Sequence, residues 1–312
     1  MTDAAVGLDQ ATTFLLDRLG PDVAGVEPLG FGEWSLAYAF CHDGVDRVAR
    51  FGQHRESFDK DRLAMGFAAS DLPIPVISEI GEALGGWYAV SVRANGRFLD
   101  DLSGDEMRVV LPSLLAALDA MRTADVSRST GYGGWCADGN APFDSWPEFL
   151  LDITAADDHQ AGGWRSALAA SSTGIAPFDE AASRPAELIR YCPAERSLIH
   201  SDLLHWNVLV DGGRLSAIVD WQCAMYGDFL YDAAWLAFWA GWNSAWDGID
   251  WLEEFSRRHA AIGLDVPSYA QRMLAYRIHI GLDGLRYNAY MGRWDEVAVV
   301  AMRTLAVAGV LV

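Results

Sequence analysis

Apolar and polar positions alternate with different periods along this chain, and the change of period divides it. Over residues 9–19 the apolar spacing predicts a short amphipathic helix. Residues 34–41 alternate large and small apolar side chains. With His42-Asp43-Gly44 as a turn and 45–51 as the return, they predict a β-hairpin. A helix is predicted over 56–69 and ended by Leu72-Pro73-Ile74-Pro75, with two further strands at 76–80 and 87–92. Beyond Gly96 the pattern is helical. Helices are expected at 104–123 (disturbed at Pro112), 147–156, 163–171, 177–191 and from Tyr231 onward, with a long Gly- and Trp-bearing loop at 128–147. Between them, 198–221 carries short apolar runs around polar residues. The expectation is an α+β chain with a small sheet lobe and a larger helical lobe.

Composition narrows the function classes. Of 312 residues 43 are acidic and 23 basic, a net charge of -20. Such a field repels nucleic acid and anionic lipid and attracts cations. No apolar run is long enough for a bilayer, and the polar N-terminus does not read as a secretory leader. Cys41, Cys136, Cys192 and Cys223 have no paired metal spacing and fit free thiols in a reducing cytoplasm. The 13 Trp exceed ordinary use, and large aromatics serve cores and ligand pockets alike.

The chemistry concentrates in one segment. Leu198-Ile199-His200-Ser201-Asp202 is followed by Asn207-Val208-Leu209-Val210, a Gly-bearing turn, and Ile218-Val219-Asp220. Phosphoryl transfer needs a group that orients the acceptor hydroxyl and ligands for a metal that neutralises phosphate charge. Asp202 suits the first role, since its carboxylate can take the hydroxyl proton. Asn207 and Asp220 offer hard oxygens to Mg²⁺. The turn at Asp211-Gly212-Gly213 would fold the two strands together and bring Asp220 beside Asn207. His200 reads as a hydrogen-bonded scaffold residue. His205 fits either a phosphate contact or a solvated position.

These residues resemble the aminoglycoside phosphotransferases, which share the protein-kinase-like fold. The likeness extends to Gly227-Asp228, Tyr231-Asp232, the Leu72–Pro75 strand entry and Trp146-Pro147-Glu148, and spans about residues 25 to 300. The strings Gly32-Glu33-Trp34-Ser35, Ala124-Asp125, Ala224-Met225-Tyr226 and Phe238-Trp239 are most similar to its hygromycin-modifying branch. The resemblance implies a bilobal molecule: a nucleotide-binding lobe at 1–92, a hinge at 93–97 and a catalytic and substrate-binding helical lobe at 98–312. It implies Asp202 as the catalytic residue, Asn207 and Asp220 as Mg²⁺ ligands, and ATP or GTP as donor. Backbone groups of Val92 and Ala94 would hold the base, and Ser35 joins the nucleotide residues. Arg50 stands where the family has Lys, and Asp61 takes the place of its usual Glu partner; Arg can grip phosphate bidentately. The loop Gly30 to Ser35 is not the G-x-G-x-x-G form, and a turn between strands explains its glycines equally well.

On the acceptor side, Trp235, Trp239, Trp242 and Trp246 recur at helical spacing, and Asp247, Asp250, Glu253 and Glu254 follow. Aromatic faces beside carboxylates fit a cationic aminoglycoside. Asp125, Asp232, Trp239, Trp242, Asp250 and Glu253 are therefore the expected acceptor contacts of a cytoplasmic monomer. Two alternatives stay open: a kinase of another small alcohol, choline- or homoserine-like, and a non-catalytic pseudokinase. No Ala-Pro-Glu anchor follows Asp220, which argues against a protein kinase.

Overall fold

The computed structural model describes residues 6–31, 35–154, 163–204 and 206–310. Helix α1 (Leu8–Leu19) precedes three antiparallel strands, β1 (Ala24–Phe31), β2 (Ser35–His42) and β3 (Val45–Gly52). Helix α2 (Arg55–Ala64) follows, then β4 (Ile77–Ala83) and β5 (Gly86–Val92), giving a sheet of order β1-β2-β3-β5-β4. Alternation sorts its faces. Tyr38, Phe40, Phe51, Tyr88 and Val90 bury against Ala11 and Leu15 of α1, whereas Ala89 and Ile77 meet Phe58 of α2.

Two expectations change here. Helix α2 stops at Ala64 and tightens into a 3₁₀ turn over Met65–Phe67, so the predicted helix over 56–69 is shorter. Strand β1 was not anticipated as a strand of its own. Two register shifts against β2, between Ala24 and Glu27 and between Pro28 and Gly30, break the two-residue period that would have announced it.

The chain crosses to the second lobe at β6 (Arg97–Phe98), which already pairs with Val210 and Leu209 of the large lobe. Helix α3 (Gly104–Thr123) starts at a capping box, Ser103 with Glu106, and runs unbroken through Pro112. The loop beyond it holds only the two-residue strand β7 (Gly133–Gly134) before α4 (Trp146–Asp152). Helices α5 (Trp164–Ala170), α6 (Ala176–Ala182) and α7 (Pro185–Leu188) follow. The single helix expected over 177–191 is broken because Pro185 opens a new helix at its first turn.

Next come β8 (Ser197–Ile199), β9 (Val208–Asp211), β10 (Arg214–Ile218) and β11 (Met225–Gly227), then α8 (Leu230–Trp239), α9 (Trp251–Ala261), α10 (Tyr269–Met291) and α11 (Trp294–Ala308). Helix α10 is the core of this lobe, packing on α5, α6, α7, α8 and α11. Ala64 and Leu72 of the small lobe join the same apolar cluster, and the Ile218 N–H donates to Pro73 O at 2.7 Å. No helix among the described residues is long and apolar enough to cross a membrane.

Candidate active site

Strand β8 is three buried residues, and the chain leaves it through Ser201 at φ 60°. A left-handed non-glycine residue costs about 1 kcal/mol and needs a compensating hold. Asp232 supplies it from α8. One carboxylate oxygen accepts the His200 N–H at 2.8 Å and the other the Ser201 N–H at 2.7 Å. Asp232 is 1% exposed, and burial pushes its pKa up to about 7 against the lowering effect of those two donors. Asp232 thus holds the loop through buried hydrogen bonds, both of its oxygens facing the loop's own backbone.

His200 carries the next link. Its Nδ1 accepts the Asp202 N–H at 3.2 Å and its Nε2 donates to Val219 O at 2.9 Å. Those two bonds define the neutral Nε2–H tautomer, and burial holds its pKa down. The ring therefore fastens the backbone of Asp202 to the residue before Asp220. Asn207 donates Nδ2 to both Asp202 O and Asp202 Oδ2, each at 2.9 Å. That orientation turns its amide oxygen away from Asp202. The Val219 N–H donates to Asn207 O at 2.9 Å. The β9–β10 hairpin, closed through Gly212 and Gly213, brings these two strands together as expected.

Asp220 sits at the end of β10 with φ 61°. Its pKa is raised to about 6, first by burial, then by the charge of Asp61, with Arg50 opposing and Asp202 adding. Arg50 Nη2 donates to Asp61 Oδ2, and Asp61 Oδ1 accepts the Trp221 N–H at 2.7 Å. Burial works against the Arg50 cation, yet Asp61 and Asp220 raise its pKa overall. Asp61 and Asp220 thus share one guanidinium, and Asp202 adds a third negative charge near Asp220. Residues of this kind fit a divalent cation, whose charge would relieve Asp220. Among the described residues no group of three or more His, Cys, Asp or Glu is arranged to hold a metal ion. Asp220 and the Asn207 amide oxygen would therefore share the ion with phosphate oxygens and water, the usual arrangement for Mg²⁺.

The structure separates the other expected residues. Ser35 opens β2 opposite Gly52. The Val92 N–H is committed to Val76 O at 3.0 Å and the Arg93 N–H to Asp46 O at 2.9 Å, so any hold on a base falls to the Val92 carbonyl and to Ala94. Asp125 accepts the Ser127 N–H at 3.0 Å in an exposed turn. Asp250 caps α9 by accepting the Glu253 N–H at 3.0 Å, and the Glu253 carboxylate pairs with Arg257 on the same helix at 3.5 Å. The tryptophans do not form one stripe, because α8 ends at Trp239 and Trp246 is buried on a separate turn, donating to Leu102 O at 3.0 Å. Trp239 packs toward Gly284 and Val300, and the Arg303 guanidinium covers one face of Trp242 at 5.0 Å. A second cation is disfavoured on that face.

Three features had no local signal in the sequence. Asp100 accepts the Trp206 N–H at 3.0 Å, and its carbonyl accepts Asn243 Nδ2 at 3.0 Å, joining the segment between β8 and β9 to the segment after α8. Ser57 and Lys60 of α2 bond to Gln222 at 3.2 and 3.3 Å. Asp283 of α10 contributes its charge, with Asp202 and Asp220, at the Cys223 thiol, whose pKa is raised first by burial and then by those acids. His205 and residues 32–34 lie outside the described residues.

The chain is 33% identical to the hygromycin-B 4-O-kinase of Escherichia coli over 287 residues, covering 91% of this chain and 80% of that protein. The crystal structure of aminoglycoside phosphotransferase APH(4)-Ia superposes with a TM-score of 0.86 at 30% identity, over 98% of this chain and 100% of that one. A thermostable mutant of the same enzyme, in ternary complex with AMP-PNP and hygromycin B, gives 0.83 at 32% identity, over 96% and 97% of the two chains. The fold is the protein-kinase-like arrangement of these enzymes. The model of the phosphotransferase enzyme family, APH, matches residues 47–272, and this chain belongs to that family.

Proposed function

We propose that this enzyme transfers the γ-phosphoryl group of ATP or GTP, with Mg²⁺, to a hydroxyl of a cationic aminocyclitol antibiotic such as hygromycin B, and that it does so as a cytoplasmic monomer. One observation carries the reading. Asn207 donates its amide nitrogen to both the backbone oxygen and Oδ2 of Asp202, which fixes that carboxylate, and the charge of Asp202 is felt at Asp220. Asp202 orients that hydroxyl and takes its proton as the new P–O bond forms. Arg50, steadied by Asp61, would meet the α- and β-phosphates. The ion would be held by Asp220 and the Asn207 oxygen, and it supplies charge neutralisation on the donor phosphates. Ser35, the Val92 carbonyl and Ala94 complete the nucleotide side.

The net charge of -20 favours a cationic acceptor, and the charges of Asp202, Asp220 and Asp283 are all felt near Cys223. The relationship to hygromycin-B 4-O-kinase supports the choice of acceptor. Mass spectrometry of hygromycin B incubated with the enzyme, ATP and Mg²⁺ tests it, and one added phosphoryl group is expected. Unmodified antibiotic beside efficient phosphorylation of choline or homoserine by the same preparation would overturn the acceptor assignment.

A further inference from the structure

In a chain with an excess of acids, Arg277 and Arg303 have no carboxylate partner among the described residues. Arg277 projects from α10 one turn before Gly281, and Gly281 packs directly on Thr304 of α11, the neighbour of Arg303. The two guanidiniums therefore belong to one junction, where α10 and α11 meet the end of α8. Arg303 lies across Gly241, donates to Ala237 O at 3.2 Å, and stacks over Phe238 and Trp242 at 5.4 and 5.0 Å. Its Nε is sealed from solvent with no hydrogen-bond partner, and so is Nε of Arg277.

No carboxylate among the described residues offsets either cation. Burial lowers the pKa of both, and the charge of Arg277 lowers that of Arg303 further. Among the described residues the charge that raises the Arg277 pKa is that of Tyr269, whose hydroxyl donates to Leu252 O at 2.8 Å and whose own pKa is pushed up to about 12 by burial. Asp250 and Glu253, the acids felt at Tyr269, are used within α9 as cap and ion pair. A half-buried guanidinium whose Nε has no acceptor costs stability, and adjoining like charges add to the cost. Both costs disappear when an anion bridges the pair, which is the geometry Arg offers to phosphate and carboxylate.

We propose that Arg277 and Arg303 form a binding site for a small anion, phosphate or carboxylate, at the junction of α8, α10 and α11 beside the exposed edge of Trp242. The site is separate from the nucleotide and metal residues and does not depend on the identity of the acceptor.

Inorganic phosphate is the probe, titrated calorimetrically into full-length enzyme already saturated with AMP-PNP and Mg²⁺, so that the nucleotide site is filled. Binding is expected in the wild type and should weaken at least about tenfold in Arg277→Gln. In phosphate-free buffer the same variant should melt no lower than wild type, because it removes an unpartnered cation. It should also lose the rise in Tm that phosphate gives the wild type over chloride at equal ionic strength. Acetate in place of phosphate tells whether a carboxylate serves as well. Absence of phosphate binding by the wild type overturns the proposal, as does undiminished affinity in Arg277→Gln. A lower Tm for that variant without phosphate also overturns it, since Arg277 then has an acceptor within the fold.

Discussion

Asp61 on the small lobe's helix accepts the backbone N–H of Trp221, the residue after Asp220, at 2.7 Å, while its other oxygen receives Arg50. One carboxylate therefore sets both the cation proposed to meet phosphate and the backbone that aims the proposed metal ligand. It does so across 160 residues of sequence.

Asp61→Ala removes both bonds and leaves Arg50 beside Asp220 without its main partner. Breaking one side of a buried ion pair costs on the order of 3 kcal/mol. Part of that should appear as at least about a tenfold rise in nucleotide KM, with acceptor KM nearly unchanged. Steady-state kinetics with each substrate varied in turn separates the two. An unchanged nucleotide KM would detach Arg50 and Asp61 from the donor site.

Asp202→Ala deletes the group proposed to take the hydroxyl proton. Here kcat should fall by about 10²–10⁴, while nucleotide affinity, measured by equilibrium binding, stays close to wild type. Asn207→Ala should behave differently. It releases Asp202 and removes a metal oxygen together, so the Mg²⁺ concentration needed for half-maximal rate should rise as kcat falls. Retained activity in Asp202→Ala would show that another group accepts the proton.

Asp232 is isosteric with Asn, but the two demand opposite things of the loop. Both Asp232 oxygens accept N–H groups, at 2.8 and 2.7 Å. An Asn there turns one NH₂ against a backbone N–H, leaving buried donors facing each other. Asp232→Asn should lose on the order of 2–3 kcal/mol of stability and slow kcat without a matching rise in acceptor KM. An acceptor KM that rises with kcat unaltered would place Asp232 on the acceptor surface.

How far the sequence could be read depends on the range of each interaction. Asp202, Asn207 and Asp220 were legible because a loop five residues long and a tight glycine turn bring them together, and both leave local marks. Strand β1 left none, since bulges at Glu27 and Pro28 erase its alternation. The tryptophan stripe was misread where spacing stood in for geometry. Trp235 to Trp246 keep helical intervals, yet the helix ends at Trp239, and Asp250 spends its carboxylate on a helix N-terminus. Asp100 could not be found from spacing, because it meets Trp206 across 106 residues and nothing near it in the chain reports the contact.

His279 supplies the pH dependence that can be isolated most cleanly. It is 4% exposed on α10, its Nδ1 lies 2.9 Å from Tyr231 Oη, and burial lowers its pKa to about 4. The unfolded imidazole titrates near 6.5. Between these values the unfolded chain binds a proton that the native chain refuses, so stability is present above 6.5 and is lost as pH falls toward 4. Between pH 7 and 5 the loss from this one residue is about 2 kcal/mol. Asp220 and Asp232, with native pKa values raised to about 6 and 7, act in the opposite direction over the same interval. The wild-type slope alone is therefore uninformative, and the comparison has to be with His279→Gln, which keeps a partner for Tyr231 and does not titrate. Urea unfolding at pH 7 and pH 5 should show the wild type losing about 2 kcal/mol more than the variant. Equal losses in the two proteins would mean that His279 is protonated as readily in the folded chain as in the unfolded one.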